Sequence, residues 1–442
     1  MHSTQTPTGE RLVIVGNGMA GHRLVETLLA HPARPAHITV IGAETAPAYN
    51  RILLSPLLAG ELERDALTLH DAEWYAEQGI ELILGERVET IDRAARTLTT
   101  DAGRRLDYDR LVLATGSNPA RPPVPGLELP GVHVFRDLND ADALVRFTQT
   151  QAAERGGNAV VIGGGLLGLE AAEGLRKRGQ GQRGMQVSLL QRDDRLMNRQ
   201  LDLTAARLLE SELRSRGLDV RTGAQLECLE EGSDGRVWAV HLADGTPLPA
   251  DCVVVAIGIV PNAELGRIAG LEVNRGVVVD EWLTTSDPAI HALGECCEHR
   301  GQTYGLVEPI WRQVEVLADR LCRPATEHVA GYVDAPCATK LKVSGVSLYA
   351  FGPTEAGPDH EVLSYRDPQQ GDYRRLLLRN GRLEGAVLYG DTAAGPWYFE
   401  QALAGSDLSA CRQALLLGAA DAQALLDDAA TDSPTSPVKE AA

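Results

Sequence analysis

Two glycine runs, Gly16-Asn-Gly18-Met-Ala-Gly21 and Gly163-Gly-Gly165-Leu-Leu-Gly168, are the parts of this sequence best suited to hold a ligand. In a G-x-G-x-x-G run the first glycine permits a tight turn and the second lets the backbone approach a pyrophosphate. The third lets a helix pack closely on a strand. The chemistry is anion binding by main-chain N–H groups at a helix N-terminus. An acidic residue near the end of the following strand accepts hydrogen bonds from an adenosine ribose, and Glu44 suits that place in the first copy. In the second copy, counting from the glycines gives Gln191, followed by Arg192, whereas aligning the strand ends sets Asp193 opposite Glu44. Both registers stay open. Gln191 does not repel a ribose 2′-phosphate and Arg192 offers it a cation, so the second cradle admits phosphorylated and unphosphorylated dinucleotides.

The elements that position these glycines repeat with them. Leu12–Gly16 reads as a buried strand running into the first turn, a helix to about Ala30, and the strand Ile38–Ile41. Ala159–Gly163, a helix to about Arg178 and Val187–Leu190 repeat the unit. The run Arg110–Gly116 closes the first region, and Cys252–Gly258 mirrors it, which places Gly258 beside the second cradle. One such motif alone is weak evidence, since glycine-rich turns are common. Two in full context predict an α/β chain with two Rossmann-type dinucleotide-binding domains. The Pro-rich Asn118–Pro125 reads as a linker, and Ala338–Gly390 alternates apolar and polar residues as antiparallel hairpins do. A helix over Trp397–Leu403 follows. The expected boundaries are 1–125 with 246–335 for the first domain, 126–245 for the second, 336–420 for a smaller C-terminal α+β domain, and 427–442 for a disordered tail.

Composition narrows the function. The 442 residues hold 61 acidic and 42 basic side chains, a formal charge of −19. That balance disfavours nucleic acid and anionic membrane as partners, which need clustered Lys and Arg. Met1–Glu10 lacks the basic and apolar pattern of a signal peptide, and no apolar run approaches the about 20 residues of a membrane span. Seven scattered cysteines with no C-x-x-C spacing fit a reduced, cytoplasmic chain.

Several stretches resemble the flavoprotein half of NAD(P)H-dependent assimilatory nitrite reductase large subunits. They are Gly16–His22, Tyr49–Ser55, Ala114–Asn118, Gly163–Ala172, Met197–Asp202, Gly294–Cys296 with Tyr304–Val307, and Thr339–Gly345. The electron-transfer subunit of assimilatory nitrate reductase is similar, and rubredoxin reductase more distantly so. The likeness runs from about Arg11 to about Gly418. It implies FAD as a prosthetic group in the N-terminal cradle and NADH or NADPH exchanging in the second. It further implies Arg51 and Ser55 beside the isoalloxazine, Val88 meeting the adenine through its backbone, and Thr115 and Gly116 at the domain junction. Glu295, after Gly294, would bind the FAD ribitol, and Glu170 would lie near the nicotinamide. One point has independent physical support: a helix over Pro309–Leu321 would aim its positive end at negative charge on a reduced flavin.

Other features exclude rival chemistry. No cysteine cluster suits an iron–sulfur centre, and Gly42–Gly60, where disulfide reductases of similar fold keep their reactive pair, contains no cysteine. Adjacent Cys296 and Cys297 do not readily form an unstrained disulfide and are expected to be packing residues. The eleven histidines show no metal-ligand spacing; His22 is expected to be structural, and no metal is expected. Cofactors would carry the chemistry, so no catalytic side chain is assigned. The expectation is an FAD-dependent NAD(P)H oxidoreductase feeding a separate electron-acceptor protein, a nitrate or nitrite reductase or a small redox protein. A rubredoxin, ferredoxin or dioxygen acceptor remains an alternative, as does an FAD-holding sensor or interaction protein without turnover. The C-terminal region would serve as a homodimer interface or as a cover over the flavin.

Overall fold

The computed structural model describes residues 8–150, 157–179, 185–323, 327–343 and 345–431. The first unit is built on a parallel sheet with the order Ile290–Ala292, Arg110–Leu113, Thr8–Val15, Pro35–Gly42 and Glu81–Leu84. Parallel strands are covered on both faces and so read as continuous apolar runs; Leu12, Val13, Ile14 and Leu111, Val112, Leu113 are all buried. The helix Met19–Leu29 buries Gly21, Leu24, Val25 and Leu28, the i, i+3, i+4, i+7 stripe of a helix lying on a core.

The second unit repeats this plan in Asp219–Arg221, Gln186–Leu190, Asn158–Ile162, Cys252–Val255 and Val132–Val134, again all parallel. The repeat extends to single hydrogen bonds. Gly16 N donates to Ile41 O and Ala114 N to Val15 O, both at 2.8 Å; Gly163 N donates to Leu190 O and Ala256 N to Ile162 O, both at 2.8 Å.

Sheet pairing moves one expected boundary. Cys252–Val255 lies between Asn158–Ile162 and Val132–Val134, so the second sheet reaches past residue 245. The reason is the repeat itself: this strand is the counterpart of Arg110–Leu113, and the sheet is interrupted without it. The chain then crosses back to the first unit through an antiparallel pair, Ser117–Pro119 with Ile259–Pro261. Asn118 and Pro119, read as linker, therefore belong to a ladder.

The C-terminal unit is an antiparallel sheet in the order Thr339–Val343, Val346–Phe351, Arg382–Tyr389, Asp372–Arg379, Glu361–Asp367. One face, with Leu348, Tyr373, Val387 and Tyr389, packs into the second unit beside Leu209 and Leu213. The other face, with Phe351, Leu376 and Leu388, packs on Tyr398 of the helix Gly395–Ala404. Tyr373 fastens the sheet by donating its hydroxyl to Asp202 at 2.9 Å. The helix Ala419–Thr431 runs into the segment expected to be disordered from Asp427, because its Ala- and Leu-rich sequence favours helix; residues 432–442 lie outside the described residues. Among the described residues no helix is long and apolar enough to cross a membrane.

Candidate active site

Both glycine turns open into one cavity of about 1720 Å³. A side chain at the first glycine of either turn would strike backbone: a Cβ at Gly16 would sit 2.1 Å from Ala114 O, and one at Gly163 2.3 Å from Ala256 O. The third glycines are as constrained, with a Cβ at Gly21 falling 2.0 Å from Gly16 O and one at Gly168 1.8 Å from Gly163 O. At the middle glycines, Gly18 and Gly165, nothing lies within 4 Å. The protein's own packing requires the outer glycines; the space before the middle ones is what a pyrophosphate would fill. The cavity exceeds the roughly 300–1,000 Å³ of clefts for single small ligands, as two dinucleotides meeting in one chamber require.

Around the first cradle the charged groups are tied together. Glu44 accepts a hydrogen bond from Tyr49 Oη at 2.8 Å and pairs with Arg51. Arg51, expected beside the flavin ring, is held on this wall by its pairing with Glu44. Arg51 Nη1 also donates to Arg136 O at 3.0 Å. The Arg136 guanidinium pairs with Glu295, which also accepts from Ser117 Oγ at 2.8 Å. A polar chain therefore runs Glu44–Arg51–Arg136–Glu295 along the cavity wall, and Gly294 and Val88 line the same chamber. Arg136 was missed in the sequence. Its available signal was the Asp137-x-x-Asp140 capping box, which starts the helix Leu138–Gln149 directly after it.

Thr115 and Gly116 meet the segment that crosses back from the second unit. Thr115 Oγ1 donates to Asn262 O at 2.6 Å, and Asn262 N donates to Gly116 O at 2.9 Å. Asn262, a second residue not anticipated, is what holds the two crossing segments in register.

Ser55 and Glu170 come from different units and meet. Ser55 Oγ donates to Glu170 Oε2 at 2.8 Å. The contact has a packing cause. On the short helix Leu54–Ala59, Leu58 lies against Gly174 of the helix Leu166–Arg178, where a Cβ would come 3.0 Å from two Leu58 carbons. Gly174 lets the helices close, and one turn earlier on each, Ser55 reaches Glu170. Burial raises the Glu170 pKa, with the Ser55 hydrogen bond opposing it. Glu170 lines the cavity; Ser55 reaches it only through Glu170, and Gly21 and Gly168 lie behind the turns.

At the second cradle Gln191 is turned inward. Its Oε1 accepts from Gly164 N at 2.8 Å and its Nε2 donates to Asp193 Oδ2 at 3.0 Å. Asn198 Nδ2 also donates to Asp193, at 2.8 Å, while the Arg192 side chain is 82% exposed. Gln191, Arg192, Asp193 and Gly258 all line the cavity. The inward Gln191 supports the turn, which leaves Asp193 as the carboxylate at the rim.

Cys296 and Cys297 are fully buried free thiols whose pKa values burial raises. Cys296 Sγ donates to Leu113 O at 3.3 Å, a packing role that keeps the neutral thiol. The helix expected over Pro309–Leu321 runs Val307–Cys322 with Leu306 as N-cap, and Gly305, Leu306 and Val307 line the cavity.

The comparisons agree with this geometry. The family model for the pyridine nucleotide-disulphide oxidoreductases matches residues 10–315, and that for the rubredoxin NAD+ reductase C-terminal domain matches 337–402. The nitrite reductase [NAD(P)H] of Bacillus subtilis (strain 168) is 43% identical over 400 residues, 90% of this chain and 48% of that protein. The assimilatory nitrate reductase electron transfer subunit of the same organism is 39% identical over 407 residues, 92% and 51% respectively. The chain thus spans about half the length of these curated relatives. The covalent putidaredoxin reductase–putidaredoxin complex superposes with a TM-score of 0.82 at 29% identity, covering 96% of this chain and 100% of that one. Two cradles, one chamber and a family match over residues 10–315 place the chain in the pyridine nucleotide-disulphide oxidoreductase family, as an oxidoreductase that takes FAD and NAD(P)H.

Proposed function

We propose that this chain draws reducing equivalents from NAD(P)H at the second cradle, through FAD at the first, and delivers them to an acceptor of nitrate or nitrite assimilation. The observation that carries the reading is the Ser55–Glu170 hydrogen bond, which joins the two units on the wall of a chamber into which both glycine turns open. When bound, the flavin and nicotinamide supply the redox chemistry themselves. The residues of the chain hold the ligands and exclude water. The amides of the two turns bind the pyrophosphates, Glu44 and Glu295 take ribose and ribitol hydroxyls, and Val88 offers its backbone to the adenine. Ser55 fixes the Glu170 carboxyl, so that Glu170 orients the nicotinamide. Gly258 and Gly305–Val307 border the ring end.

The named relatives support the acceptor class, and the sequence has no cysteine cluster for an iron–sulfur centre. Electrons therefore leave this chain for metal centres outside its residues. Purified protein is expected to oxidise NAD(P)H with ferricyanide or a viologen dye, while nitrite and nitrate added alone stay constant. Nitrite consumption by this chain alone would sink the reading. A second reading, a small iron–sulfur or rubredoxin-type acceptor, is favoured by the full-length superposition on the putidaredoxin reductase complex. Titration with a ferredoxin-type protein and with a nitrite reductase partner, each followed by NAD(P)H consumption, separates the two.

A further inference from the structure

Behind the first glycine turn, the helix Met19–Leu29 meets the turn that precedes the helix Ala72–Glu77. There His22, Glu26 and His70 each bring one ligand atom to within 4.8 Å of the others. Glu26 Oε1 lies 3.6 Å from His22 Nε2 and 3.4 Å from His70 Nε2. Donors bound tetrahedrally to zinc at about 2.0–2.2 Å stand roughly 3.3–3.5 Å apart, so little movement separates this geometry from coordination. His22 and Glu26 share a helix face by their i, i+4 spacing, and His70 is held by stacking on Trp74, 4.0 Å between ring centroids and 6° from parallel.

The hydrogen bonds behind His22 decide what its Nε2 presents. The Tyr75 hydroxyl donates to Asn17 Oδ1 at 2.9 Å, so toward His22 Nδ1, 2.6 Å away, it accepts. With the imidazole proton on Nδ1 to meet that hydroxyl, Nε2 carries a lone pair. His22 is only 1% exposed, and its Nε2 has no hydrogen-bond partner. A buried lone pair facing a carboxylate is repulsive unless a cation lies between them. A histidine that gives its second ring N–H to a neighbouring oxygen while its other nitrogen points into a cluster of donors is the arrangement of a metal ligand.

We propose that His22, Glu26 and His70 bind one zinc ion, with water completing the tetrahedron, and that the ion pins the first helix to the turn that precedes the helix Ala72–Glu77. Through Tyr75 the site also reaches Asn17, the residue between Gly16 and Gly18, so the metal braces the first glycine turn from behind. The role is structural, since the ligands lie outside the residues lining the dinucleotide chamber.

The test uses the intact flavoprotein, stripped with a chelator and dialysed against micromolar zinc, with bound metal measured by mass spectrometry. One zinc per chain is expected. His70→Ala and Glu26→Gln change half-buried side chains at the surface, so the far-UV circular dichroism should hold as the folding control while zinc affinity falls at least about 100-fold, more than the loss of an outer partner costs. Tyr75→Phe removes the partner of Nδ1 and should weaken binding by about 10–100-fold, the usual cost of losing an outer partner. No zinc uptake by the parent protein overturns the proposal. So does equal uptake by the parent and by both ligand variants, which would place the metal on other residues such as the cysteines.

Discussion

The two cradles share a backbone and differ in how the carboxylate that follows each second strand is held. At the first, Glu44 is clamped by Tyr49 and Arg51, Arg51 donates on to the Arg136 carbonyl, and the Arg136 guanidinium pairs with Glu295. At the second, Gln191 folds back on Gly164, and Asp193 accepts from the Gln191 and Asn198 amides and pairs at 3.8 Å with Arg192, whose side chain is 82% exposed. The first has a wall tied by two ion pairs and the hydrogen bond between them; the second has an open rim with one carboxylate beside an exposed arginine. That difference suits a ligand that stays and a ligand that exchanges, which is how the two nucleotides are assigned above.

The sharpest way to break the comparison is to fill each cradle in turn. Gly18→Val should yield colourless protein, because the added side chain occupies the approach of the pyrophosphate. Gly165→Val should remain yellow yet lose rapid reduction by NAD(P)H. Flavin absorbance and stopped-flow reduction read the two outcomes, and a Gly18→Val protein with full flavin means the tenants are exchanged or absent. Next in size, Gly174→Val should wedge Leu58 away and separate Ser55 from Glu170. Overpacking of this kind costs about 1–3 kcal/mol in stability, and reduction should slow while flavin content holds; an unchanged reduction rate would leave the Ser55–Glu170 contact without a role.

Nucleotide choice sharpens the second cradle. Asp193→Ser should raise the NADPH/NADH ratio of kcat/KM by an amount worth about 1–3 kcal/mol, whereas Gln191→Glu should shift it less, since residue 191 serves the turn. The reverse ranking would make Gln191 the ribose reader. A smaller effect belongs to the first unit. Its buried His291 has a pKa lowered to about 3, chiefly by burial, against an ordinary 6.5. A depressed histidine pKa means the unfolded chain binds the proton more tightly, so stability is full above pH 6.5 and falls as pH drops toward 3. The slope is at most about 1.4 kcal/mol per pH unit. Denaturant titrations at stepped pH should show this slope shallower in His291→Leu; identical slopes would assign the acid sensitivity elsewhere.

Much of the plan was legible in the sequence because its signals are local. Gly16 to Gly21 and Gly163 to Gly168 declare a turn, a strand before it and a helix after it within a few residues. The alternation in Ala338–Gly390 declares hairpins. The sequence was silent where a residue's role depends on a distant partner. That Arg51 pairs with Glu44 and donates to the Arg136 carbonyl was not readable from spacing. The boundary at 245 failed because strand membership is decided by pairing with Asn158–Ile162 and not by composition. Counting also could not show that the Gln191 side chain folds back to accept from Gly164 N.

By itself, then, the sequence determined that two dinucleotide cradles exist, that the second is inserted within the first, and that no cysteine pair follows the first cradle. Glycine spacing and strand periodicity are properties of neighbouring residues and survive without the fold. Tertiary structure alone decided that the cradles open into one chamber, that Gly174 lets Leu58 close so that Ser55 meets Glu170, and that Arg136 bridges toward Glu295. It also decided that His70 comes to His22 and Glu26. Each of these rests on helices and loops far apart in the chain being brought within hydrogen-bonding reach, and only the packing of the assembled core determines that distance.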